Sequence, residues 1–143
     1  MRDLCPSFFL PLRSKVNFFY IMALTEDLPA YRATYDLLQK ILDVREHFPK
    51  TFKYEFANSM MMTAIHCCEI LRYANSDREK RTYYLNEFLI KFDTLRLYLR
   101  ICQDRRLVTI AEATSMILSV DEIERQIRAW RNASTPESRS RTL

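Results

Sequence analysis

The stretch SDREKRTYYLNEFLIKFDTLRLYLRICQDR, residues 76–105, decides the fold. Tyr84, Leu85, Phe88, Leu89, Phe92, Leu95, Leu99 and Cys102 recur at the three- and four-residue spacing of one face of an α-helix. Ser76 or Asp77 stands ahead of the run as a capping residue, and the pattern holds to about Arg105. A strand would alternate every second residue and would end far sooner. A helix this long with a single apolar stripe must bury that stripe against other helices.

The same period recurs on both sides. Upstream, a helix is expected from about Leu28 to His47, with Pro29 in its first turn and Tyr31, Tyr35, Leu38, Ile41, Leu42 and Val44 inward. It stops at Phe48-Pro49, because the residue before proline is pushed out of the α region. A second helix follows from about Thr51 to Ala74, burying Phe52, Phe56, Met60, Ala64, Cys67, Ile70 and Leu71, with Asn75-Ser76 as the turn. Downstream, Thr109 and Glu112 form a capping box for a fourth helix carrying Ile110, Ala113, Ile117, Val120, Ile123, Ile127 and Trp130. Short connections make neighbours antiparallel, so the expected fold is an all-α, up-down-up-down four-helix bundle over residues 26–132. Residues 133–143 read as a polar, disordered tail. Residues 1–25 read as an extension: the first 21 are aromatic-rich but broken by Pro6, Pro11, Arg13 and Lys15, leaving no apolar run for a signal or membrane segment. They fit a mis-assigned start ahead of Met22, or a hydrophobic arm packed on the bundle.

Composition narrows the chemistry. There is no glycine among 143 residues, so phosphate-cradling nucleotide motifs, which need close backbone approach, are excluded. The net charge is +4; the front contributes +2 (Arg2, Arg13 and Lys15 against Asp3) and the back +1 (Arg139 and Arg141 against Glu137), leaving +1 in the middle. Any basic surface on the bundle must therefore come from segregation of charge between faces. Four cysteines without CxxC spacing point away from a disulfide framework or zinc cluster and toward a reducing, cytoplasmic setting.

Neither a catalytic centre nor a cofactor site is marked. His66, Cys67 and Cys68 are consecutive and point about 100° apart on a helix, so they do not converge on one ion. His47 and His66 have no partner at i+3 or i+4 that would complete a ligand pair. Asp121, Glu122 and Glu124 lack the Glu-x-x-His pattern of di-iron bundles and read as a solvated or salt-bridged face. Of Met60, Met61 and Met62, at least one must be core. Tyr31, Tyr73, Tyr83 and Tyr98 are candidates for partner contacts. Arg96 is the anomaly: with Leu85, Leu89, Phe92 and Leu99 on the wheel it falls near mid-stripe, where an unpaired guanidinium is costly. It is expected to pair with Glu69, Asp121 or Glu122, or to face a subunit interface or lumen.

Candidate nucleic-acid contacts are Lys50, Lys53, Arg96, Arg100, Arg105, Arg106, Arg128 and Arg131. In an up-down bundle, the start of the second helix and the end of the third lie at one end, which would gather Lys50, Lys53, Arg105 and Arg106. One bundle offers few phosphate contacts, so useful affinity needs several copies.

LPAYRATYDLL (28–38), FPKTFKY (48–54), LRLYLR (95–100) and IERQIRAW (123–130), in this order and spacing, resemble the accessory variability determinant family of diversity-generating retroelements. The resemblance spans roughly residues 26–134. It implies a four-helix protomer in a homopentameric barrel that binds the element's reverse transcriptase and its template-repeat RNA, possible DNA contact included, without a catalytic residue of its own. Lys50 and Lys53 of FPKTFKY, with Arg96 and Arg100, would be its contact residues. Ala57 and Ala129 depart from the family, where glycine is common. A related bundle family, encoded in intervening sequences of bacterial large-subunit ribosomal RNA genes, shares the fold and parts of these motifs.

Overall fold

A computed structural model describes residues 25–135 of the chain. The readings of residues 1–24 and 136–143 fall outside that range. Among the described residues there are four long helices, one short helix and no strand. We label them α1 (Pro29–Arg45), α2 (Lys50–Lys53), α3 (Glu55–Ser76), α4 (Arg81–Asp104) and α5 (Ile110–Ala133).

Each boundary has a local cause. Pro29 occupies the first turn of α1, where its missing N–H removes no helical bond. Phe48 is buried and Pro49 is extended, which turns the chain into α2. At Tyr54 the backbone leaves the helical region (φ −94°, ψ −86°), so the second expected helix is two pieces, α2 and α3. Asp77 does act as a cap, accepting the N–H groups of Glu79 at 3.1 Å and Lys80 at 3.0 Å, although α4 begins only at Arg81. The capping box forms as expected: Thr109 accepts from the Glu112 N–H at 3.2 Å and Glu112 accepts from the Thr109 N–H at 2.7 Å.

The long helices close a ring, with α1 and α4 each packed on both α3 and α5. Inside it Leu37, Ile41, Met60, Cys67, Leu71, Leu85, Phe88, Leu95, Cys102, Ile123 and Ile127 have no exposed surface. Met60 meets Cys102 with sulfurs 3.8 Å apart, Phe56 meets Tyr98 at 5.4 Å between ring centroids, and Tyr73 stacks on Tyr84 at 5.6 Å. Phe56 and Met60, early in α3, thus meet residues late in α4, while Tyr73, late in α3, meets Tyr84.

Four positions expected inside are not. Tyr35 is 46% exposed and lies against Tyr31, while Ile110, at the first turn of α5, is 89% exposed. Ile117 faces the outer edge of α5, and Met116 takes the inward place beside it. Arg96 is an exposed residue. The error is traceable: Leu89, only half-buried, drew the apparent centre of the stripe toward Arg96, whereas Leu85, Phe88, Phe92, Leu95, Leu99 and Cys102 define the buried face.

Candidate nucleic-acid interface

The eight basic candidates divide by what neutralises them. Arg96 reaches across from α4 to α5, 3.7 Å from Asp121 and in direct contact with Glu124. Asp121 was among its expected partners; Glu124 was not, and Glu122 pairs instead with Arg125. Arg128 binds the other oxygen of Glu124 through Nε at 2.9 Å and Nη2 at 2.7 Å. Two arginines and two carboxylates therefore cancel over the α4–α5 seam. Arg100 lies 3.4 Å from Asp104, and Arg131 donates to the Asn86 side chain at 3.3 Å.

The other four residues, like Arg131, have no carboxylate partner among the described residues. Lys50, Arg105 and Arg106 are exposed, and Lys53 donates only to the Glu46 carbonyl at 3.4 Å. Local packing fixes where they stand. Phe52 of α2 meets Phe56 edge-on at 5.8 Å, and Phe56 meets Tyr98. The α2 turn is thereby pinned to the part of α3 that touches the last turns of α4, where Met60 meets Cys102.

Arg106 is held by the helix end. The Leu107 N–H bonds the Cys102 carbonyl at 2.8 Å and the Arg106 N–H bonds the Gln103 carbonyl at 3.1 Å, the two bonds of a Schellman motif. Leu107 closes it by packing on the core. The motif needs a left-handed residue at Arg106, which has φ 55°. Glycine normally fills that place, and this chain has none. Arg106→Gly is therefore expected to raise stability by about 1 kcal/mol, the steric cost of a left-handed non-glycine residue. Urea unfolding tests this; a fall in stability would place a stabilising contact in the arginine side chain.

The core thiols are unsuited to chemistry. Burial pushes Cys68 up to about 11 and Cys102 up to about 12, and pushes Cys67 higher still, so all three stay protonated near neutral pH. His66 does have an i+3 neighbour, with Nε2 3.9 Å from Glu69, but among the described residues no three His, Cys, Asp or Glu side chains gather as metal ligands. No described helix is long and apolar enough to cross a membrane. One polar tie went unread in the sequence: the half-buried Lys40 of α1 donates to Ser115 and Ser119 of α5, each at 2.9 Å. Its only sequence signal is the serine pair four residues apart.

The class that the fold defines is an all-helical bundle, in which five of the eight basic candidates have no carboxylate partner among the described residues. Compared with known proteins, the sequence matches no family model and no curated protein.

Proposed function

We propose that this chain is a non-catalytic accessory protein of a diversity-generating retroelement, which binds reverse transcriptase and template-repeat RNA during mutagenic copying. One observation carries the nucleic-acid part: Lys50, Lys53, Arg105 and Arg106 lack carboxylate partners while Arg96, Arg100 and Arg128 are ion-paired. The polymerase and the template follow from the resemblance of the four sequence motifs. An antiparallel, up-down-up-down order of the long helices is supported by the opposed numbering of the α3–α4 contacts.

The protomer assembles with copies of itself into a homopentameric barrel. Ile90, Leu97, Leu118 and Ile110 support this, being large apolar residues each at least 59% exposed on a single chain. Assembly also multiplies the few phosphate contacts of one bundle. Native mass spectrometry of the full chain tests the reading. The expected species has five times the 17.2 kDa chain mass and retains nucleic acid. A monomer or dimer free of nucleic acid overturns it.

A further inference from the structure

Tyr84, Lys91 and Tyr98 of α4 and its C-cap Arg105 are spaced seven apart and so fall on one stripe, which meets α3 at Tyr84 and Tyr98. Two full helical turns separate each from the next, so the row extends roughly 30 Å at about 1.5 Å per residue. At one end Tyr73 of α3 stacks on Tyr84 with 27° between ring planes, and Tyr83 meets Tyr84 edge-on at 5.4 Å. Tyr84 covers one side of Tyr73, yet Tyr73 remains 57% exposed and Tyr83 59%. Lys91 in the middle is exposed with no ion pair among the described residues, and Lys80 beside the tyrosines is likewise exposed. At the far end the row runs out at Arg105, next to Arg106, and the α2 turn that carries Lys50 and Lys53 is linked to this part of α4 through Phe52, Phe56 and Tyr98.

We infer that the α3–α4 seam is a track for single-stranded nucleic acid, with bases stacking on the Tyr73–Tyr83–Tyr84 platform and phosphates running past Lys91 to the basic end. The inference rests on the RNA-binding part of the proposed function and adds to it a strand type and a path. Alternating flat rings and cations is what a single strand requires: base stacking is tolerant of sequence, and a cation between the rings meets the backbone. A duplex hides its base faces and has no use for exposed tyrosines. The rings of Tyr73 and Tyr84 are already stacked, so little freedom is lost when a base extends the stack. Glu87, one turn before Lys91, forms no ion pair with it, and Glu69, one turn before Tyr73 on α3, lies 3.9 Å from His66.

The test is fluorescence anisotropy of the full chain with labelled single-stranded oligo(U) and with an RNA duplex of the same length, across a salt series. Tyr73→Ala combined with Tyr83→Ala is expected to weaken oligo(U) binding about tenfold or more, with the salt slope and duplex affinity unchanged. Tyr73→Phe with Tyr83→Phe retains binding. Glu87→Lys, an exposed change that leaves the core intact, is expected to tighten oligo(U) binding and steepen the slope by about 0.7. Alanine variants that bind like the parent overturn the track and leave RNA binding in place, assigning the tyrosines to a protein partner if polymerase capture is lost instead. Binding to duplex alone also overturns the track only. Binding to neither RNA overturns the nucleic-acid reading itself.

Discussion

Phe88→Ala is expected to destabilise the fold by about 3–5 kcal/mol, a large part of what a domain this size possesses. Phe88 has no exposed surface and lies against Phe92 at 5.1 Å with 22° between the rings. It sits on α4, which packs on both α3 and α5, so its removal leaves a void that two helix pairs border. Those helices are held at their ends by the Thr109–Glu112 box and the Schellman turn, which limits collapse into the void. Gln103, an exposed polar residue of the same helix, is the control; Gln103→Ala should stay within about 0.5 kcal/mol. Urea unfolding of both variants gives the comparison. A Phe88→Ala loss no larger than that of Gln103→Ala would contradict the packing of α4.

The contrast between those two positions also explains why the fold was legible. Apolar residues at helical spacing, with no glycine to interrupt them, leave little choice but long helices, and every stripe residue of α4 lies in or against the core. Thr109 and Glu112 could be read as a cap because their reciprocal bonding depends only on spacing. The break at Tyr54 carries no proline or glycine, and the left-handed Arg106 stands where sequence reasoning looks for glycine or asparagine. Both are set by tertiary packing, of Phe52 on Phe56 and of Leu107 on the core, and that packing is not a local signal.

The candidate site was legible as a set of cations but not as a division among them. Arg96 and Arg105 look alike in sequence. What separates them is whether a carboxylate on the adjoining helix comes within reach, which depends on how α5 is rotated against α4. The seven-residue row of Tyr84, Lys91, Tyr98 and Arg105 was present in the sequence, but only the contacts of Tyr73 and Phe56 reveal that it borders a neighbouring helix.

That division yields the sharpest functional expectation. Lys50→Glu with Lys53→Glu should weaken RNA binding at moderate salt by roughly tenfold or more and flatten the log–log salt slope by about 1.4, the contribution of two single-strand phosphate contacts. Helicity should survive, since Lys50 is exposed and Lys53 contributes one long bond to a carbonyl. Arg128→Gln should do far less. Its charge is offset by Glu124, which Arg96 also contacts, so removing it changes the local field without vacating a phosphate site. Salt-dependent anisotropy on the two variants distinguishes the faces. If Arg128→Gln flattened the slope as much as the lysine reversal, the ion-paired arginines would be exchanging their carboxylates for phosphate, and the interface would extend onto the α4–α5 seam. If neither variant changed the slope, Lys50 and Lys53 would hold no phosphate, and cations without a carboxylate partner would have to be explained by the surface of a protein partner.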